Sequence, residues 1–323
     1  MPVPIDEDLA GYSDLAFQSA FAIYVLAFAL LIGQYASFRA SKVHAEELVA
    51  AGSVPKSNVP GRIADTPKKP WSERLGNMGA SVLVVGIALH IAAIVLRGFA
   101  TDRFPLGNMY EFVTMACAAA MVVGSAVLRG QKYRSMWVFL LVPVLILMFL
   151  AATVLYADAA PVVPALRSYW LPIHVTIVST GSGVFMVAGV ASLLFLLRMR
   201  YPEGAEGTGF FGAIAQRLPD ARTLDRLAYK TTIIGFPLFG AGVILGAIWA
   251  EAAWGRFWGW DPKETMSFIA WVVYAAYLHA RATSGWRDTK AAWINVAGFV
   301  AMLFNLFIIN MVVSGLHSYA GLN

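Results

Sequence analysis

Five histidines are spread along the 323 residues: His44, His90, His174, His279 and His317. Imidazole nitrogen is the side-chain ligand best suited to iron at neutral pH. Between His174 and His279 stands a run from Trp249 to Glu264 in which four tryptophans and Phe257 fall within residues 249–260. Tryptophan favours a membrane interface, which accounts for one or two of them. It does not account for Trp254, Trp258 and Trp260 interleaved with Gly255 and Gly259. Small residues between large flat ones let a backbone lie close to a planar ligand while the rings stack on it. Haem is such a ligand. Histidines can take its iron from both faces, and Arg256 and Lys263 can pair with its propionates.

The end of that run has a second, purely structural meaning. Asp261-Pro262-Lys263-Glu264 fits a helix start, with Asp261 as N-cap, Pro262 in the first turn and Glu264 reaching back as in a capping box. Capping there also fixes the segment that would hold the ligand.

Composition says what kind of scaffold carries these residues. The chain is 59% hydrophobic and 13% charged, against roughly 25% charged in soluble domains. Too little polar surface remains to cover a water-soluble globule, so lipid is the solvent for most of the chain. The formal charge of +5 then reports topology rather than nucleic-acid binding. The lone Cys117, in an apolar run, excludes an intrachain disulfide and reads as a buried structural residue. The acidic start (Asp6, Glu7, Asp8) does not resemble a cleavable signal.

Eight stretches are long and apolar enough to span, at 16–37, 77–97, 109–128, 136–156, 171–197, 232–250, 265–281 and 292–314. The expected fold is an all-α polytopic membrane protein. It has an outer N-terminal segment (1–15), a first span (16–37), a polar cytoplasmic linker (38–74) and a membrane core (75–320) carrying the tryptophan-rich outer loop 249–264. A short surface helix is expected at Ala213–Arg217. All but five of the 24 Lys and Arg fall in the connections 39–74, 129–134, 198–230 and 281–290. The positive-inside rule makes those the cytoplasmic side and puts both termini outside.

That orientation sorts the histidines. His174, near the start of the fifth span, and His317, just past the eighth, come out on the same side as the tryptophan loop. The pair is expected to ligate one haem iron against Trp254, Trp258 and Trp260. His279 lies near the inner end of the seventh span, and an ionisable residue there is a functional hypothesis by default. His90 is a possible partner, but depth opposes it. It lies about 24 Å from the inner boundary at Arg74, whereas His279 lies roughly 3 Å from it. His279 is therefore expected to pair with a ligand from another subunit. His44 falls in the polar linker.

The run from Trp254 to Glu264 resembles the tryptophan-rich signature of haem-handling proteins of cytochrome c biogenesis. Its Pro-Lys-Glu ending is similar to the CcsA/ResC type, named CcsB in some bacteria. Phe104-Pro-Leu-Gly-Asn-Met-Tyr-Glu111, Val163-Pro-Ala-Leu-Arg-Ser-Tyr-Trp-Leu-Pro-Ile-His174 and Gly315-Leu-His-Ser-Tyr319 are similar to other stretches of that type. Met109 and Phe112 depart from it around Tyr110-Glu111. The resemblance covers roughly residues 75–320. It implies that this chain is the haem-binding subunit of a system II cytochrome c synthetase in the plasma membrane, with haem b as cargo. It also implies that His174 and His317 are the outer ligands, and that His279 matches a membrane-embedded haem histidine. The partners it implies are a CcsB/ResB-type membrane subunit, apocytochrome c and a thioredoxin-like reductant of the apocytochrome.

Two other classes fit less well. A membrane b-type cytochrome taking electrons from quinol also needs buried histidines, but would pair them on facing helices within the membrane. A pure transporter would break helices near the midplane, for which Pro143 and Gly181/Gly183 are weak signals.

Overall fold

In the computed structural model the described residues are 5–50, 70–162 and 166–317; within these, side chains of 38–50 are left aside. They form nine α-helices: α1 (Glu7–Ala50), α2 (Trp71–Thr101), α3 (Met109–Val127), α4 (Met136–Thr153), α5 (Trp170–Arg200), α6 (Phe210–Ala215), α7 (Ala221–Trp254), α8 (Pro262–Ala282) and α9 (Thr289–Phe304). Among the described residues there is no strand. The chain is an all-helical polytopic membrane protein. Among the described residues, seven helices are long and apolar enough to cross a bilayer. The exception among the long ones is α8, whose 21 residues reach about 31 Å but carry Lys263, Glu264, His279 and Arg281 at their ends.

Several helices outrun the expected spans. α1 starts at Glu7 rather than 16 because Asp6 accepts from Leu9 N–H (3.0 Å), while its own N–H donates to Ala100 at the end of α2 (3.0 Å). α1 also continues through Ala50, well into the expected linker, of which residues 51–69, like Ser318 and Tyr319, lie outside the described residues. α7 begins eleven residues before 232, because Asp220 caps it through Thr223 N–H (2.9 Å). Hydropathy marks where a helix meets lipid, not where it ends. The surface helix forms at Phe210–Ala215, slightly earlier than expected. α4 passes through Pro143 as one helix, and α5 is continuous through Gly181 and Gly183.

The helices pack as neighbours in the order the chain allows: α1 on α2, α3 on α4 and α5, α5 on α7 and α9, α8 on α9 and α7. α5 is the central element, and Val184, Phe185, Met186, Val187 and Ala188 within it are all buried. Cys117 is buried in the core. The start of α1, the starts of α3, α5 and α8, and the end of α9 gather at one end of the bundle.

A buried ion network ties that end together. Glu111 faces Arg103 (2.9 Å) and Arg97 (3.4 Å) and accepts from Gly107 N–H (2.6 Å). Arg97 also reaches Asp14 on α1 (3.5 Å) and the Ala157 carbonyl. Glu111 thus holds the 104–108 turn in place, and Tyr110 packs between Phe17 and Tyr156.

Candidate functional site

At the end of α7 the helix stops on Gly255, whose φ of 72° is left-handed. The chain then runs through Phe257 and Trp258 to the start of α8. There Asp261 caps the helix by accepting from Lys263 N–H (3.1 Å), and Glu264 completes the capping box. The Glu264 carboxylate accepts from both Gly259 N–H (2.8 Å) and Asp261 N–H (3.1 Å). These are the two amides that flank Trp260, and they hold it at a φ of 58° that a bulky residue rarely adopts.

Asp261 does more than cap. Its other oxygen accepts from Leu316 N–H (2.7 Å), and the oxygen that caps α8 also accepts from His317 Nδ1–H (2.9 Å). One buried carboxylate therefore joins the start of α8 to the segment after α9 and sets the His317 tautomer, leaving the lone pair on Nε2. Burial opposes the ionised form of Asp261, but the bonds to His317 and Leu316 outweigh it, and its pKa falls to about 2. Burial pushes the His317 imidazole below the usual histidine range, against the opposing pull of Asp261.

His174, on the first turns of α5, is held in the same manner. Its Nδ1–H donates to the Gly242 carbonyl of α7 (2.7 Å), which again leaves the lone pair on Nε2. The His174 ring lies parallel to Trp249 (centroids 6.1 Å, 7° between planes), and His317 meets the same indole at an angle (5.9 Å, 61°). The two imidazoles are thus within about 12 Å of each other. Trp254 closes the cluster against Trp249 (4.7 Å) and His317 (5.2 Å).

His174, His317, Trp249, Phe112 and Lys263 form a wall common to two adjoining cavities of about 80 and 70 Å³. The first is also lined by Trp254, Trp258, Glu264, Ser267 and Asn305; the second by Gly107, Asn108, Leu166 and Asn310. The described parts of the motif stretches (104–111, 166–174 and 315–317) and the tryptophan run therefore contribute to one place. Ordinary ligand pockets measure roughly 300–1,000 Å³, so a haem-sized guest enters only with rim side chains moved aside. The α9 helix widens into a π-turn at Asn305–Ile309 beside the cavity, a distortion frequent at functional sites.

Not every expected residue arrives there. Trp260 is 69% exposed and touches Trp258 edge-on, outside the cavity wall. Arg256 does not line the cavity either. Its guanidinium lies over Gly259, in the space a Cβ would need. Of the two loop glycines, Gly255 ends α7 and Gly259 lies against the loop's own arginine. Lys263 is the basic residue that faces the cavity, with Asn310 as hydrogen-bond partner and the Phe112 ring 5.8 Å away.

His279 is exposed on α8, in line with Val272 and Ala276, away from the buried Tyr274, Tyr277 and Ala280. His90 is fully buried between Tyr24 (3.4 Å to Nδ1) and Phe17 of α1. With α2 against α1 and α3, and α8 against α7 and α9, the structure does not bring His90 and His279 together. His44 lies in the last part of α1.

Sequence reasoning missed the central role of Trp249, which is 1% exposed. It also missed Asn305 and Asn310. Polar residues inside an apolar span were the available signal.

The helical bundle and its histidine–tryptophan cavity place the chain in a definite class. The cytochrome c assembly protein family matches residues 106–317, and the chain belongs to that family, in its CcsA branch. The cytochrome c biogenesis protein CcsA of Gloeobacter violaceus is 32% identical over 303 residues, covering 79% of this chain and 88% of its own. CcsA of Gloeothece citriformis is 33% identical (78% and 89% covered), and CcsA of Prochlorococcus marinus strain MIT 9303 is 34% identical (77% and 87%). Among solved structures, the cytochrome c haem lyase CcmF superposes with a TM-score of 0.61 at 16% identity. That match covers 93% of this chain and 46% of CcmF, and shows a shared fold.

Proposed function

We propose that this chain works in cytochrome c maturation by carrying haem b to the outer face of the plasma membrane and presenting it there for covalent attachment to apocytochrome c. The observation that supports this reading is the meeting of His174 and His317 around Trp249, each with Nδ1 fixed by an acceptor and its lone pair on Nε2. Such a pair binds iron from opposite faces of one porphyrin. Trp249, Trp254 and Trp258 hold the ring plane, and Lys263 takes a propionate. Arg256, laid over Gly259, is not needed for that.

Attachment adds a cysteine S–H across each haem vinyl group, sulfur to one carbon and hydrogen to the other, with no net change of oxidation state. The chain's part is geometric. It must hold the iron, leave the vinyl edge open and let the apocytochrome's own histidine displace one axial imidazole. A CcsB/ResB-type subunit with a large outer domain and a thioredoxin-like reductant for the apocytochrome thiols complete the machinery. His279, exposed on α8, would share a second haem with a histidine of that subunit.

Purified wild type and the His174→Ala/His317→Ala double variant test the reading. The variant is expected to lose outer haem and to stop cytochrome c maturation. Equal haem content with normal maturation would refute it. Rapid haem reduction by quinol with no effect on maturation would instead favour a membrane b-type cytochrome.

A further inference from the structure

A larger cavity, of about 400 Å³, lies at the opposite end of the bundle from the histidine pair. It is enclosed by the α1 segment around Tyr35, the 131–135 connection before α4, and the residues leading into α7. From Thr223 at this cavity to Gly246 beside His174, α7 rises about 35 Å, so the two sites lie a bilayer apart.

Lys132, Arg134 and Arg217 line the larger cavity, against Glu203 and Asp220. Asp220 is already committed, accepting from Thr223 N–H (2.9 Å) and Thr223 Oγ1 (2.8 Å) as the α7 cap. Glu203 is mostly exposed and turned to Arg198 (3.7 Å). Arg134 is anchored by one arm, with Nη2 donating to Asn77 on α2 (2.8 Å), while its Nη1 is buried without a hydrogen-bond acceptor. A guanidinium fixed on one side and unmatched on the other is built for a second oxygen ligand, and phosphate is the usual one.

Depth tells which phosphate. In the sequence the first charge after the apolar run of α1 is Arg39, and Arg134 stands two residues before α4 begins at Met136, so Tyr35, Arg134 and Ser135 straddle the edge of the hydrocarbon layer. The short helix α6 lies beside the cavity, pinned by Tyr35 Oη donating to Ile214 O (2.6 Å). It turns out Phe210 (75% exposed) and Phe211 (55%), the pattern of a segment resting in the interface. A soluble anion has no use for such surroundings. We propose that this cavity binds the phosphate headgroup of an anionic phospholipid, with Arg134 and Lys132 as its ligands.

The test is native mass spectrometry of the full chain released from vesicles of equal parts phosphatidylcholine and phosphatidylglycerol. Wild type is expected to retain phosphatidylglycerol preferentially. Lys132→Gln is expected to lower retention about fivefold, the worth of one basic residue near anionic lipid, and Arg134→Gln to lower it further. Lys132 is exposed, so its variant decides the matter even if Arg134→Gln fails to fold. Equal retention of the two lipids, or no change in Lys132→Gln, overturns the proposal. Displacement of the lipid by excess inorganic phosphate also overturns it, in favour of a soluble anion.

Discussion

Replacing Asp261 by alanine removes the acceptor of three hydrogen bonds at once: from Lys263 N–H, Leu316 N–H and His317 Nδ1–H. Loss of an N-cap costs about 1 kcal/mol, and the Leu316 amide, on an exposed residue, loses its acceptor at a cost of up to about 1 kcal/mol because water can replace it. The stability loss is therefore expected near about 1–2 kcal/mol. The His317 ring also loses the partner that orients it, which typically weakens metal binding about 10–100-fold. Asp261→Asn keeps an acceptor but not the charge, and charge-assisted bonds are about twice as strong as neutral ones, so it should fall between. Haem titration followed by absorption, with thermal melts by circular dichroism, measures both effects. If Asp261 acts on haem through His317, then in a His317→Ala background Asp261→Ala costs stability but no further haem affinity. Full additivity of the two haem losses, or unchanged affinity in Asp261→Ala alone, would refute the reasoning.

Acidification has a signed expectation. Burial makes the folded state favour neutral His317, so this group's contribution to stability is present above pH 6.5 and is lost as pH falls toward its depressed folded value. Asp261 adds a second loss as pH falls from its ordinary 3.8 through about 2; a melting midpoint flat from pH 7 to 3 would contradict both. Glu111→Gln leaves Arg97 and Arg103 without their shared buried carboxylate and should destabilise the chain by about 3 kcal/mol; an unchanged melting midpoint would show that the network is dispensable. Trp249→Leu removes a fully buried ring that contacts both imidazoles. It should cost about 3 kcal/mol in stability and weaken haem binding measurably, whereas Trp260→Leu, on an exposed side chain, should leave titrations unchanged.

Much of this could be read without coordinates, because lipid imposes simple rules. A charge-poor chain with long apolar runs must be a helical bundle, and the capping box at Asp261–Glu264 is legible in four residues. The convergence of His174 and His317 followed from counting crossings. What escaped was set by contacts between distant segments. Trp249 and Trp260 look alike in sequence, yet one is enclosed between α5 and the 315–317 segment while the other is turned outward by a left-handed backbone. Gly259 lies against Arg256, a contact that only the arginine's rotamer reveals. Two of the three bonds accepted by the Asp261 carboxylate span 55 and 56 residues, a separation that no local pattern encodes. The starts of α1 and α7 escaped because caps in polar segments, Asp6 and Asp220, set them rather than hydropathy.

Electron paramagnetic resonance of the haem-loaded ferric protein bears most directly on a single iron shared by His174 and His317. Wild type should give a low-spin signal from the outer haem, and either His174→Ala or His317→Ala should turn it high-spin. A low-spin outer haem that survives both single substitutions would mean that these imidazoles are not its ligands.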